Sequence, residues 1–294
     1  MKKFKKIIFV IIIVFVAITM VIPFFNLNAQ ETLKSPLKDV ISSIDDLANL
    51  KDNNDLSDEE KTVKEIEIRG QALLKIAGLS LLEVENLKNK LESLVLDSDE
   101  EVAIKDKFLL ILDSNKEYSE ELQKKIEETE NLTLKEIKVL AQDFKEWRGV
   151  NYTETVKDIL SFILVFQQKN AVRTADTRLE KINTDIRKLE IAKMIKKEDT
   201  WNLLNNAMKN LTSAHLYIDK AEDMLIPVLR EELLDSATTS PEEIASEEEN
   251  NSTTTVKDIN TEIKVLVGKS LNEVRSAYKN FLSISNKIRK KIGY

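Results

Sequence analysis

No cysteine occurs in the 294 residues. That excludes disulfides, a thiolate nucleophile, a cysteine-ligated zinc site and a lipidated cysteine anchor. It is compatible with an oxidising exterior but does not require one. Histidine is nearly absent too, with His215 the single example. A Ser-His-Asp triad would need it, and Ser213 stands too close on the same helix pattern to partner it normally. Ferritin-like di-iron bundles use two Glu-x-x-His motifs. Here the residue three before His215 is Thr212, and no H-E-x-x-H zincin motif exists. His215 reads as a plain helix residue.

Glycine and proline are scarce, at five and four residues. The nearest glycine pair, Gly70 and Gly78, lies inside a helical pattern, so no phosphate-cradling loop is present. Two Trp and five Tyr supply little for an aromatic-lined sugar cleft, although carboxylates are abundant enough for a glycosidase pair. The expectation is a chain that is not an enzyme, with no catalytic residue, metal or cofactor.

What the sequence does hold begins with "MKKFKKIIFVIIIVFVAITMVIPFFNLNAQ". Four lysines precede an apolar run, Ile7–Ile22, broken only by Thr19. This is the layout of an export signal, with the lysines holding the N-terminus inside. Two outcomes stay open. Cleavage after Ala29 fits the small residue wanted at −1, while Leu27 suits −3 poorly. Alternatively Ile7–Phe25 stays uncut as a single-pass anchor of about 28 Å against a bilayer core of about 30 Å. Both place the rest of the chain outside the cytoplasm. Lys, Ile and Asn usage suggests a bacterial source.

Beyond residue 29 the chain carries 40 basic and 51 acidic residues, a net of −11. An acidic surface repels phosphate backbones, so nucleic acid is not an expected partner. High charge with few helix breakers points to an all-α fold, an elongated antiparallel bundle of coiled-coil-like helices. The expected partners are the membrane through residues 7–25 if uncleaved, other envelope proteins, or further copies through the helices.

Helix starts are marked by "SPLK" at Ser35–Pro36 and by capping boxes at Ser57–Glu60, Ser98–Glu101 and Thr133–Glu136. Helices are expected at 36–50, 58–96, 99–130, 134–148, 154–198, 200–234 and 256–291, the fifth about 67 Å long. Gly149 is expected as a left-handed C′ residue. Apolar residues alternate by three and four along four helices. These stripes run Val165–Leu189, Leu204–Val228, Ile104–Leu122 and Val256–Ile288. "ILSFILVF" at 159–166 is apolar almost all round, a place where one helix is covered on several sides. In domain terms, 30–234 is read as the bundle, 235–255 as an acidic disordered linker, and 256–294 as a final helix packing on the bundle.

The main anomaly is "QQKNAVRTADTR" at 167–178. Gln167, Gln168, Asn170, Arg173, Asp176 and Arg178 form a candidate polar interaction patch on a long helix. The competing reading is a solvated stretch in which Gln168 sets helix register. Trp147 and Trp201 are read as closing the ends of the bundle core. The basic tail Lys287, Arg289, Lys290 and Lys291 complements a helix C-terminus and could also touch an anionic surface.

Overall fold

The computed structural model describes residues 27–52, 55–129, 131–235 and 252–292. Seven α-helices account for nearly all of them. They are α1 Leu27–Asp52, α2 Asp58–Glu92, α3 Asp99–Glu128, α4 Leu134–Asn151, α5 Thr153–Ile191, α6 Trp201–Arg230 and α7 Ser252–Ile292. A 3-10 turn, Lys197–Asp199, precedes α6, and a π turn, Glu231–Asp235, extends it. No strand occurs among the described residues, so the fold is all-α. The proposed export segment lies outside the described residues, and so does most of the acidic linker. No helix among the described residues is long and apolar enough to cross a membrane.

The capping boxes form. Glu60 N–H donates to Ser57 Oγ at 3.3 Å, and Ser57 N–H donates back to Glu60 Oε2 at 2.9 Å. Ser98 and Glu101 repeat the exchange at 3.1 and 3.4 Å. Thr133 and Glu136 do so at 3.3 and 2.8 Å. Each box satisfies amides that the first helical turn leaves without partners.

Other boundaries differ from the sequence reading. Ser35–Pro36 is not a start, because α1 begins at Leu27 and runs through it. The last helix begins at Ser252 rather than 256, so residues 252–255 are helical. The fifth helix stops at Ile191, short of 198. It ends in a Schellman turn without glycine. Met194 N–H reaches Leu189 C=O at 2.9 Å, Lys193 N–H reaches Glu190 C=O at 2.9 Å, and Lys193 takes φ 57°.

Gly149 does not adopt a left-handed conformation. It lies inside α4, which continues to Asn151, and only Tyr152 separates α4 from α5. A Cβ built on Gly149 meets nothing within 4 Å. Gly149→Ala is therefore expected to stabilise the protein by about 1 kcal/mol, since glycine gives up more backbone entropy in a helix interior. Chemical denaturation should show a raised midpoint at unchanged slope, and a lowered midpoint would contradict the assignment.

Contacts divide the described residues into two compact units, one drawn from 27–89 and 109–155, the other from 90–108 and 156–292. In the first unit, α2 and α3 run antiparallel, as Lys88–Asp113 at 2.5 Å, Ser119–Ser80 at 3.2 Å and Gln123–Leu74 at 3.5 Å record. Its core gathers Leu73, Ala77, Leu122, Ile126, Ile137, Leu140 and Phe144 from α2, α3 and α4. α1 joins through buried Val40 and through Lys75, which donates to Ser43 Oγ at 3.0 Å.

In the second unit, α5 and α6 are antiparallel. Lys169 meets Glu222 at 2.7 Å, and Asp176 meets His215 at 2.6 Å. α7 returns antiparallel to α6 and so parallel to α5. The stripe of α6 is buried as expected from Leu204 to Leu225, then passes to Leu229 rather than Val228. On α7, Ile263, Leu266, Ser270, Val274, Ala277, Phe281 and Ile284 are buried. In "ILSFILVF", Ile159, Ser161, Phe162, Ile163, Val165 and Phe166 are all buried, as expected of a helix covered on several sides. On α3 the stripe lies partly one residue over. Leu112 and Ser119 are buried, whereas Ile111 and Tyr118 are half-buried.

Candidate interaction surface

The 167–178 segment does not present one patch. Gln168 is buried and donates to Ser270 Oγ at 3.1 Å, and Ser270 Oγ donates to the Ala214 carbonyl at 2.9 Å. This chain ties α5, α7 and α6 in one register. The expected stripe put polar residues at both buried positions, and the structure pairs them. Arg173 grips Asp97 through both guanidinium nitrogens, one at 2.9 Å. Asp176 is taken by His215. Arg178 lies 5.7 Å from the Tyr278 ring centroid, a cation–π arrangement. Gln167 is exposed and Asn170 half-buried. Four of the six residues thus face three different neighbours.

The sequence reading missed Lys169, which sits among these residues and gathers three carboxylates. Its ammonium lies 2.7 Å from Glu222, 3.4 Å from Asp97 and 3.5 Å from Glu101. Glu101 is buried, with Oε2 accepting the Asp97 and Ser98 amides at 2.7 and 3.4 Å. Burial raises the Glu222 carboxyl above its ordinary range. Lys169 opposes that shift, and the Glu101 charge reinforces it. The cluster is an internal cross-tie joining the start of α3, the middle of α5 and the end of α6. Arg230 and Glu100 add a second tie nearby, with one contact at 2.8 Å. Among the described residues no group of three or more His, Asp or Glu is placed to hold a metal ion.

The first unit carries its own polar seam. Arg148 pairs with Glu83 at 2.8 Å and lies 4.6 Å from the ring centroid of buried Tyr152. Burial pushes the Tyr152 hydroxyl well above the usual phenol range, helped by the Glu83 charge. Trp147 stacks on Tyr118 at 4.0 Å, inside this unit's aromatic cluster. Trp201 behaves differently from its expectation. It is 46% exposed, with Lys197 at 4.3 Å from its ring centroid, so it does not close the core.

Two concave surfaces stand out among the described residues. In the first unit a cleft of about 250 Å³ lies among Val40, Ile44, Leu47, Leu73, Ile76 and Ile137. In the second a longer groove of about 870 Å³ runs between α5 and α7, floored by Ile182, Leu189, Phe281, Ile284 and Ile288. Its rim holds Arg178, Lys181, Asp185, Tyr278, Leu282 and Arg289. The sequence signal for it was the second apolar row of α7, Tyr278 and Leu282, one residue beyond the core stripe. No protein-family model, no curated protein and no solved structure matches this chain.

Proposed function

We propose that the chain is an exported helical interaction protein of the bacterial envelope. In this reading the bundle is elongated, its helices associate in coiled-coil fashion, and it acts by presenting surfaces to other proteins. The observation that carries it is the four-lysine, sixteen-residue apolar opening at 2–22, the pattern of an export signal. The long buried stripes of α5, α6 and α7 support the helical part. The segment 30–294 then lies outside the cytoplasm, either anchored by residues 7–25 or released by cleavage after Ala29. The partners are envelope proteins rather than nucleic acid, and the protein is not an enzyme. A ligand-binding bundle built on 167–178 has less support, because Gln168, Arg173, Asp176 and Arg178 are engaged within the unit.

Peptide mapping of the N-terminus on fractionated native cells tests the reading. A start at Gln30 in a non-cytoplasmic soluble fraction gives the released form. A start at Met1 or Lys2 in the membrane fraction, with protease reaching the chain from outside, gives the anchored form. An intact N-terminus in the cytoplasmic fraction sinks the proposal.

A further inference from the structure

We infer that the α5–α7 groove is the docking site for an acidic amphipathic helix of another protein. The inference names the kind of partner for the interaction role proposed above, and so rests on that reading.

The groove exists because one lane of the second unit is only partly filled. Residues 90–108 cover α5 over its first half. Phe108 packs on Phe162 with ring centroids 5.6 Å apart. Asp97, in the turn between α2 and α3, reaches Lys169 and Arg173 and marks the end of that cover. Past Arg173 the buried contacts of α5 come from α6, α7 and the turn after α5, where Ile186 gathers with Ile195, Leu204 and Ile284, and the groove opens at Thr174. It follows α5 to Leu189, about 22 Å at helical rise. That length suits about four turns of helix. Its floor is apolar, and Leu282 at its edge is 65% exposed.

Charge specifies the occupant. Asp185, the one acid on the rim, already lies 3.8 Å from Lys188. Arg178, Lys181 and Arg289 have no carboxylate partner among the described residues. That is unusual in a chain whose net charge is −7. These cations are spread along the groove. Arg178 is level with Tyr278, and Arg289 lies eleven residues further along α7, about 16 Å away. A lipid with one anionic headgroup would meet one end only, whereas a helix with acids along its flanks meets both. Helix-in-groove binding joins apolar anchors with such flanking charges.

The chain's own segments fit poorly. Residues 1–26 hold four lysines and no acid, the wrong sign for this rim. Residues 236–251 are acidic but tethered far away. Asp158 charge is felt by Glu232 just before that segment, and Asn260 just after it bonds Asp158 at 3.1 Å. From Asp158 to Thr174 is about 24 Å along α5. Sixteen residues fully extended reach about 55 Å, which going and returning consumes with no helix left to dock. A second copy docking by the same face would set cation against cation.

The test uses the full chain and two labelled helical peptides of about 18 residues, long enough to fill the groove. Both carry leucine at three-four spacing, one with glutamate flanks and one with lysine. The glutamate peptide is expected to bind saturably and at least about tenfold more tightly. Leu282→Asp, at an exposed site, should weaken it about tenfold while the thermal melt stays unchanged. The triple variant Arg178→Glu, Lys181→Glu, Arg289→Glu should reverse the preference. The inference is overturned if neither peptide binds, if both bind alike, or if Leu282→Asp leaves binding intact. It is equally overturned if Leu282→Asp instead abolishes adsorption to phosphatidylglycerol vesicles or dissociates a self-assembly. Cell fractionation does not depend on this groove, so failure here alone leaves the envelope reading standing.

Discussion

Phe162→Ala is expected to cost about 4 kcal/mol, the range for a buried phenylalanine cut to a methyl group. Phe162 is fully buried at the centre of "ILSFILVF". Its ring meets Phe108 edge-on at 5.6 Å and Phe166 at 4.5 Å. Such ring pairs add to area burial. The neighbours Ile159, Val165 and Phe166 are themselves fully buried. They have little freedom to collapse into the space, which places the cost toward the upper part of the range. In denaturant the midpoint should fall sharply with little change in slope. Leu164→Ala is the control, since Leu164 on the same run is only half-buried and should cost clearly less. A Phe162→Ala loss below about 1 kcal/mol would mean that the site is far less packed than the structure has it.

That apolar run was legible in the sequence because burial on several faces needs apolar residues on several faces. The capping boxes at Ser57, Ser98 and Thr133 were legible for a different reason. Both partners lie within three residues, so no distant contact can displace them. Helix ends were less visible. Ser35–Pro36 has the chemistry of a first turn, yet Pro36 lies inside α1, which is already helical from Leu27 and loses one ladder hydrogen bond there without ending. Gly149 permits a left-handed turn but does not compel one, and α4 runs through it. Lys193 takes the left-handed position with no glycine to announce it. The α3 stripe misled because Ile111 and Tyr118 are apolar while Ser119 is not. Ser119 is buried because its hydroxyl lies 3.2 Å from Ser80 Oγ and 3.0 Å from the Asn115 carbonyl. A pairing partner 39 residues away leaves no trace in a local pattern.

The polar segment 167–178 was visible as an anomaly, but its meaning was not. Gln168 could be read as a register residue from its stripe position, and its bond to Ser270 agrees with that. The roles of Lys169 and Arg173 depend on Asp97, Glu101 and Glu222, which reach them only through tertiary packing. The groove was harder still. It arises from where the cover of α5 stops, and periodicity along one helix does not record what lies opposite.

The Lys169 cluster gives the second large effect and one with a pH signature. Lys169→Met keeps the apolar stem and removes the ammonium, leaving Glu101 and Glu222 facing each other while Asp97 keeps Arg173. Glu101 and Glu222 have little exposed side chain, at 6% and 19%. Breaking a buried ion pair from one side costs several kcal/mol, because the remaining charge stays desolvated. The backbone amides that Glu101 accepts soften this, so about 3 kcal/mol is expected at pH 7. The sign of the pH dependence follows from which groups titrate. The penalty exists only while the carboxylates are ionised. Glu222 already titrates above its ordinary range because of burial, and losing Lys169 removes the charge that opposed that rise. Protonation of Glu222 should therefore relieve the variant as pH falls. The melting-temperature gap between wild type and Lys169→Met should be widest near pH 7 and should narrow steadily toward pH 4. Adding Glu222→Gln to Lys169→Met should recover part of the loss at pH 7 and almost none at pH 4, since the amide replaces a carboxyl that is already neutral there. A gap that stays constant across this range would mean that Lys169 contributes packing alone, and that the four charged groups are neighbours without electrostatic coupling.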